Sequence, residues 1–95
     1  MEILPESALP ESALFVAPVK HSVTISGHQT SISLEPVFWH ALRQAAQEEG
    51  VALNALIGRI DGLRLAAMLS GHGTPANLAS AIRCWLWQRY TDQPL

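Results

Sequence analysis

The sequence has little that would support membrane insertion, a disulfide framework or secretion. It contains a single cysteine, Cys84, which cannot form an internal disulfide. No apolar run approaches the roughly 18 residues that a membrane-spanning helix needs, and the N-terminal residues lack the basic-then-apolar order of a signal peptide. We therefore expect a protein of a reducing, cytoplasmic compartment that has no membrane partner.

Catalytic motifs are also missing. The sequence has no repeated Cys/His ligand spacing, no nucleophile motif and no glycine-rich loop of the kind that cradles phosphate. His21 and His28 flank a predicted turn and could approach one another, but two imidazoles without a third ligand make a poor zinc site. His40 is expected on the surface of a helix. We expect no enzymatic activity, no catalytic residue, no bound metal and no cofactor.

Basic residues are scarce for a protein that holds nucleic acid through phosphates. Six basic residues stand against eight acidic ones, and three of the acidic residues precede Lys20. From Lys20 onward the chain carries one more basic than acidic residue. Because a protein that holds nucleic acid mainly through phosphates normally shows a basic patch, composition alone argues mildly against that mode of binding.

What the sequence does contain is enough for one small domain. With 95 residues and 48% hydrophobic content, the core is modest, and a second copy of the chain often completes a core of this size. Residues 4–13 repeat the pentapeptide Leu-Pro-Glu-Ser-Ala. Its regular prolines and lack of a periodic apolar face predict a flexible arm over residues 1–19, followed by the domain over residues 20–95.

Two short strands are predicted at residues 22–26 and 30–34, where apolar residues alternate with Ser or Thr. Gly27 supplies a turn between them, so the strands can form an intramolecular hairpin. Pairing with strands of another chain is equally compatible with the pattern. The side chains expected to face the core are Val23, Ile25, Ile32 and Leu34.

Two helices follow the strands. The first is predicted over residues 36–49, since proline fits its first turn and Gly50 ends it. The second begins at Leu53 and either frays near residues 61–62 or extends to Gly71. The predicted apolar face of the first helix consists of Phe38, Ala41, Leu42 and Ala45.

A third helix is predicted to begin at the pair Thr74 and Pro75, a capping residue followed by proline, and to end near Tyr90. It carries Trp85, Trp87 and Tyr90. Aromatic side chains at this spacing favour a core or dimer contact over a ligand pocket.

The segment KHSVTISGHQTSISLEPVFWHAL, followed by LNALIGRID and later by NLASAIRCWL, resembles the ribbon-helix-helix family. More narrowly, it is similar to a bacterial subfamily of small ribbon-helix-helix domain proteins. The resemblance covers roughly residues 20–61 and 77–86, with residues 62–76 as an insertion. Its most specific elements are Gly-His-x-Thr-Ser and Phe-Trp.

This resemblance implies a mainly α fold with a short β-ribbon, namely a ribbon-helix-helix dimer with an additional C-terminal helix. One strand from each chain would form a ribbon that fits the DNA major groove, as in a transcriptional regulator. Since side chains alternate along a strand, the side chains expected to point outward and read bases are those of Gln29, Ser31 and Ser33. Glutamine pairs with adenine, and a serine hydroxyl donates or accepts.

The resemblance also implies a phosphate contact at the start of the second helix, formed by Ala52, Leu53 and Asn54. Free backbone N–H groups and the positive end of the helix dipole attract an anion there. The family pattern has Ser or Thr at the position of Ala52, so a capping hydroxyl is missing and only Asn54 offers a polar side chain.

DNA affinity is expected to be weak, because the ribbon region is poor in cations. Lys20 is the basic residue that precedes the ribbon, whereas related sequences carry Arg or Lys near the positions of His21 and Gln29. Each lost phosphate contact lowers affinity and salt dependence together. The alternative is that binding depends on several dimers lying side by side.

A second function fits the same sequence: a dimeric protein-interaction or antitoxin-like adaptor module without sequence-specific DNA binding. The near-neutral charge favours it. The arm and the aromatic third helix would serve as surfaces for a protein partner. The expected partners are thus a second copy of the chain, or a higher oligomer, together with double-stranded DNA or a protein.

Overall fold

The computed structural model describes residues 11–71 and 76–92. It confirms a mainly helical fold with a two-stranded ribbon and an added C-terminal helix. The first ten residues lie outside the described part, so the division into arm and domain at Lys20 stays a prediction. The elements in chain order are a short 3-10 helix (Glu11–Phe15), β1 (Val19–Ile25), β2 (His28–Leu34), α1 (Pro36–Glu49), α2 (Leu53–Leu69) and α3 (Leu78–Thr91).

The ribbon is a hairpin within one chain. β1 and β2 pair antiparallel along their full lengths, from Val19 opposite Leu34 to Ile25 opposite His28. Ser26 and Gly27 have φ values of 50° and 80°, and two residues with positive φ give a tight turn whose twist matches that of the strands. Of the two pairings that the sequence left open, the single chain has the intramolecular hairpin, and the pairing between two chains that the family resemblance implied stays a prediction.

One core lies between the hairpin and the helices. Val23, Ile32 and Leu34 are buried on the inner face of the hairpin, and Ile25 packs partly buried against them, as the alternation predicted. Every helix from α1 to α3 contributes to the same cluster. The buried helical side chains are Trp39, Leu42, Ala45, Ala46, Leu56, Ile57, Ile60, Ile82 and Leu86.

The buried face of α1 differs by two residues from the prediction. Leu42 and Ala45 are buried as expected, but Trp39 and Ala46 are buried in place of Phe38 and Ala41, which are only partly buried. The Nε1–H of Trp39 donates to the Val19 carbonyl oxygen across 2.9 Å. The large ring thus packs beneath the start of β1 with its one polar group satisfied, and it sets the rotation of α1.

α2 runs without interruption to Leu69, so the fraying considered near residues 61–62 is wrong. α3 begins later than predicted, because its N-cap is Asn77, whose side chain accepts a hydrogen bond from the Ser80 N–H across 2.8 Å. Thr74 and Pro75 lie outside the described residues.

Two glycines in different helical positions allow a matched test of how alanine substitution changes the free energy of unfolding. Gly50 ends α1 with a φ of 69°, whereas Gly62 lies within α2 with nothing within 4 Å of an added Cβ. We expect Gly50→Ala to lower the free energy of unfolding by about 1 kcal/mol, since alanine is strained at positive φ. Gly62→Ala should raise it by about 0.5–1 kcal/mol. Urea denaturation measures both, and equal effects of the same sign would contradict the assignment of Gly50 as a left-handed cap.

Candidate nucleic-acid interface

The side of the hairpin that points away from the helices is polar throughout. We call it the outer face. The strand register brings its six side chains together as three cross-strand pairs. These pairs are Lys20 with Ser33, Ser22 with Ser31, and Thr24 with Gln29.

The structure therefore brings the three predicted base-reading residues onto one surface. Gln29 and Ser31 are exposed and Ser33 is half-buried. Sequence reasoning missed Ser22 and Thr24, which β1 adds to the same face. Their alternation with Val23 and Ile25 carried the signal, but only the pairing of β1 with β2 places them beside the predicted residues.

The outer face bears hydroxyl, amide and ammonium groups and no carboxylate. Residues 19–34 include no aspartate or glutamate. Glu35, directly after β2, is held by Arg83, whose guanidinium donates to one carboxylate oxygen at 2.7 and 3.0 Å. A polyanion approaching the outer face thus meets donors and acceptors without a facing negative charge.

Most guanidinium groups of the helices are paired with carboxylates. Arg59 pairs with Glu49 at 2.9 Å, and Arg64 pairs with Asp61 at 2.8 Å. Arg89 pairs with Glu48 at 3.5 Å and with Glu49 at 3.3 Å. Positive charge on these helices is therefore largely neutralised.

Two cations, Lys20 and Arg43, take part in no ion pair within the described part of the chain. The Arg43 guanidinium lies 5.9 Å from the centre of the Trp39 ring. That ring contacts His21 edge-on, with 4.7 Å between ring centroids. Arg43 is thus connected through Trp39 to the start of β1. Sequence reasoning missed it, because Arg43 lies on α1, outside the ribbon motif.

The predicted phosphate contact at the start of α2 has an uncapped N-terminus. Ala52 is the N-cap and its side chain makes no capping hydrogen bond, while Asn54 is exposed and Leu53 half-buried. The N–H groups of this first turn are therefore without a side-chain partner of their own helix. The assignment of Ala52, Leu53 and Asn54 to phosphate binding stays a prediction.

The start of a different helix lies directly beside β2. Asn77, Leu78 and Ala79 border a shallow depression together with Ser31 and Ser33. The positive end of the α3 dipole is therefore adjacent to two predicted base-reading residues. The sequence could not indicate this, because the contact joins segments more than forty residues apart.

The histidines do not gather into a ligand set. Within residues 11–71 and 76–92, no group of three His, Cys, Asp or Glu side chains is arranged to hold a metal ion; His72 lies outside these ranges. His40 was expected on the surface, but it is half-buried, and its Nε2 atom is buried without a hydrogen-bond partner among the described residues. No helix of the described part is long and apolar enough to cross a bilayer.

Two ion-paired carboxylates, Glu35 and Glu49, make the stability of the fold depend on pH. Hydrogen bonds from Arg83 lower the pKa of Glu35, and hydrogen bonds from Arg59 and then Arg89 lower the pKa of Glu49. Each carboxylate is therefore more easily kept ionised in the folded state than in the unfolded chain. Its contribution to stability is complete above the unfolded pKa of about 4.3 and disappears as the pH falls through the lower folded value.

We expect the urea midpoint to fall as the pH is lowered from 5 to 3, and to fall less in Glu35→Gln. That variant should already be less stable at pH 7, because the Arg83 pair is lost. Glu11→Gln, which removes a carboxylate that forms no ion pair within the described residues, is the control and should follow the parent. Identical pH profiles for the parent and Glu35→Gln would count against this role of the pair.

A comparison with protein families identifies the fold. The profile of the ribbon-helix-helix domain matches residues 18–90. The chain belongs to the ribbon-helix-helix domain family. The matched range includes β1 and α3 as well as β2, α1 and α2, so both strands of the hairpin lie within the ribbon-helix-helix domain. Comparisons with curated proteins and with solved structures gave no match. Ribbon-helix-helix proteins are typically DNA-binding regulators or antitoxins.

Proposed function

We propose that this ribbon-helix-helix protein is a cytoplasmic, DNA-binding transcriptional regulator that inserts its hairpin into the major groove. The observation that carries the proposal is the outer face, in which three cross-strand pairs present only polar side chains and no carboxylate. A two-stranded ribbon has the width that the major groove admits. The hairpin supplies this ribbon from a single chain.

In this proposal Gln29, Ser31 and Ser33 contact base edges, and Ser22 and Thr24 contribute from β1. The Gln29 amide can donate to and accept from adenine, which makes it the most discriminating of the five groups. The serine and threonine hydroxyls can rotate to donate or accept, so they tolerate several bases. The outer face therefore reads sequence with modest selectivity.

Phosphate contacts come from Lys20, from Arg43 and from the first-turn N–H groups at Ala52, Leu53 and Asn54. Two cations per chain give a shallow salt dependence: neutralising about two phosphates lowers affinity roughly tenfold between 50 and 200 mM salt. Weak binding by one chain then favours sites at which several copies lie side by side. A homodimer or a higher oligomer is accordingly part of the proposal.

A second candidate function is a protein-interaction or antitoxin-like adaptor module. It is favoured by the exposed aromatic side chains of α3, since Trp87 is 71% exposed and Tyr90 is 50% exposed. Exposed aromatic surface of this kind is typical of protein-binding sites. In that case the hairpin would keep its polar face without reading DNA.

The first experiment is enrichment of a random duplex library on the purified full chain, at low and then moderate salt, with the solution mass measured in the same buffer. A recovered sequence motif supports the regulator, and the mass gives the number of chains that bind it. A folded protein that enriches no motif at low salt would overturn the proposal and favour the interaction module.

A further inference from the structure

An apolar groove runs between the 3-10 helix, α1 and α3. We call it the α1/α3 groove; its volume is about 810 Å³. It is open to solvent, and several of its apolar side chains are exposed, among them Leu14 and Trp87. Leaving this much contiguous apolar surface in water is unfavourable. The side chains that dominate its walls are Leu14, Phe38, Ala41, Leu86, Trp87 and Tyr90.

The ionisable side chains of the described residues that line the α1/α3 groove include basic groups and no carboxylate. The basic groups are those of Arg83 and His40. Because Arg83 already pairs with Glu35 at 2.7 Å, the fit of an occupant rests on the apolar walls, and acidic residues of an occupant would meet no facing carboxylate among the described lining residues. A basic occupant would not find a partner there.

The chain itself contains such a segment, residues 1–10, directly before the 3-10 helix that borders the groove. The pentapeptide Pro-Glu-Ser-Ala-Leu occurs twice in succession, at residues 5–9 and 10–14. The leucine of the second copy, Leu14, already lines the groove, and the 3-10 helix that carries it packs against α1. Leu9 ends the first copy in the same local sequence, five residues earlier.

We propose that residues 1–10 of the same chain occupy the α1/α3 groove, with Leu9 and Leu4 packed on its aromatic wall. Glu2 and Glu6 supply the acidic groups, and the chain has no basic residue before Lys20. Because ten residues reach up to about 33 Å when extended, the segment is long enough. The groove side of α3, over residues 83–90, needs only about 10 Å.

The test is nuclear magnetic resonance on the full chain with labelled leucine methyl groups. We expect nuclear Overhauser effects from the Leu9 methyls to the Trp87 indole, unchanged on dilution and absent between chains in a mixture of labelled and unlabelled protein. If the contacts appear only between chains, a second copy fills the groove and the proposal is overturned. Leu9 methyls at random-coil shifts with no contact would also overturn it.

A thiol-reactivity measurement gives an independent readout. Cys84 is exposed, lines the α1/α3 groove and is the only cysteine of the chain, so iodoacetamide modifies a single thiol at the edge of this groove. We expect Leu9→Ser to speed alkylation of Cys84 severalfold, up to about tenfold for the loss of one buried leucine. Ser7→Ala, which changes the same segment without removing an apolar side chain, should leave the rate unchanged. Equal rates in the parent and Leu9→Ser would contradict docking at Cys84.

Discussion

Replacing Ser31 with glutamate is expected to abolish DNA binding while leaving the fold intact. Ser31 is exposed at the centre of the outer face, opposite Ser22 and between the other two cross-strand pairs. A carboxylate there would face the bases and phosphates of the groove, and Lys20 in the adjacent cross-strand pair could neutralise it only by giving up its own phosphate contact. We expect affinity to fall at least about 100-fold, equivalent to roughly 3 kcal/mol.

The matched control for Ser31→Glu is Ala66→Glu, which adds the same charge at an exposed position of α2, outside the hairpin. Both variants change the net charge equally, so a difference between them reports on position. Binding is measured by fluorescence anisotropy on the enriched duplex, and folding by thermal denaturation. Unchanged affinity of folded Ser31→Glu would rule out this use of the outer face.

The second large effect, a loss of stability, is expected from Trp39→Ala. The Trp39 side chain is 2% exposed, donates its Nε1–H to Val19 and contacts His21 edge-on. Removing it leaves a cavity beneath the start of β1 and takes away the Nε1–H donor to the Val19 carbonyl. We expect the free energy of unfolding to fall by about 3–5 kcal/mol.

Phe15→Ala is the control for this substitution, because it removes an aromatic ring that is 87% exposed at the end of the 3-10 helix. Its cost should stay below about 1 kcal/mol. Chemical denaturation followed by circular dichroism measures both values. Comparable losses in the two variants would mean that Trp39 does not join the hairpin to α1 as described.

Local signals in the sequence predicted most of the secondary structure. Alternation in residues 22–34 placed both strands and their inner faces, and the proline at residue 36 with Gly50 gave the bounds of α1. These features depend on neighbours in sequence, since side chains alternate in strands and helix ends need particular residues. The predicted start of α3 at Thr74 and Pro75 was wrong, because Asn77 caps this helix through its side chain.

What the sequence left open depended on contacts between distant segments. It could not decide whether the strands pair within a chain, because an alternating strand looks the same with either partner. Trp39 replaced Phe38 in the core because its ring reaches Val19, twenty residues away. Arg43 and the start of α3 also lie near the hairpin through contacts between residues that are far apart in sequence.

Because the ribbon is one hairpin, its two strands are not copies of each other. β1 presents Lys20, Ser22 and Thr24, whereas β2 presents Gln29, Ser31 and Ser33. A ribbon made by two identical chains looks the same when turned end for end, but this one has a direction. On DNA it would therefore point one way along the duplex, and its shortest recognition sequence would not be a palindrome. An inverted repeat in an operator would then reflect the arrangement of two whole molecules on the DNA, not symmetry within one ribbon.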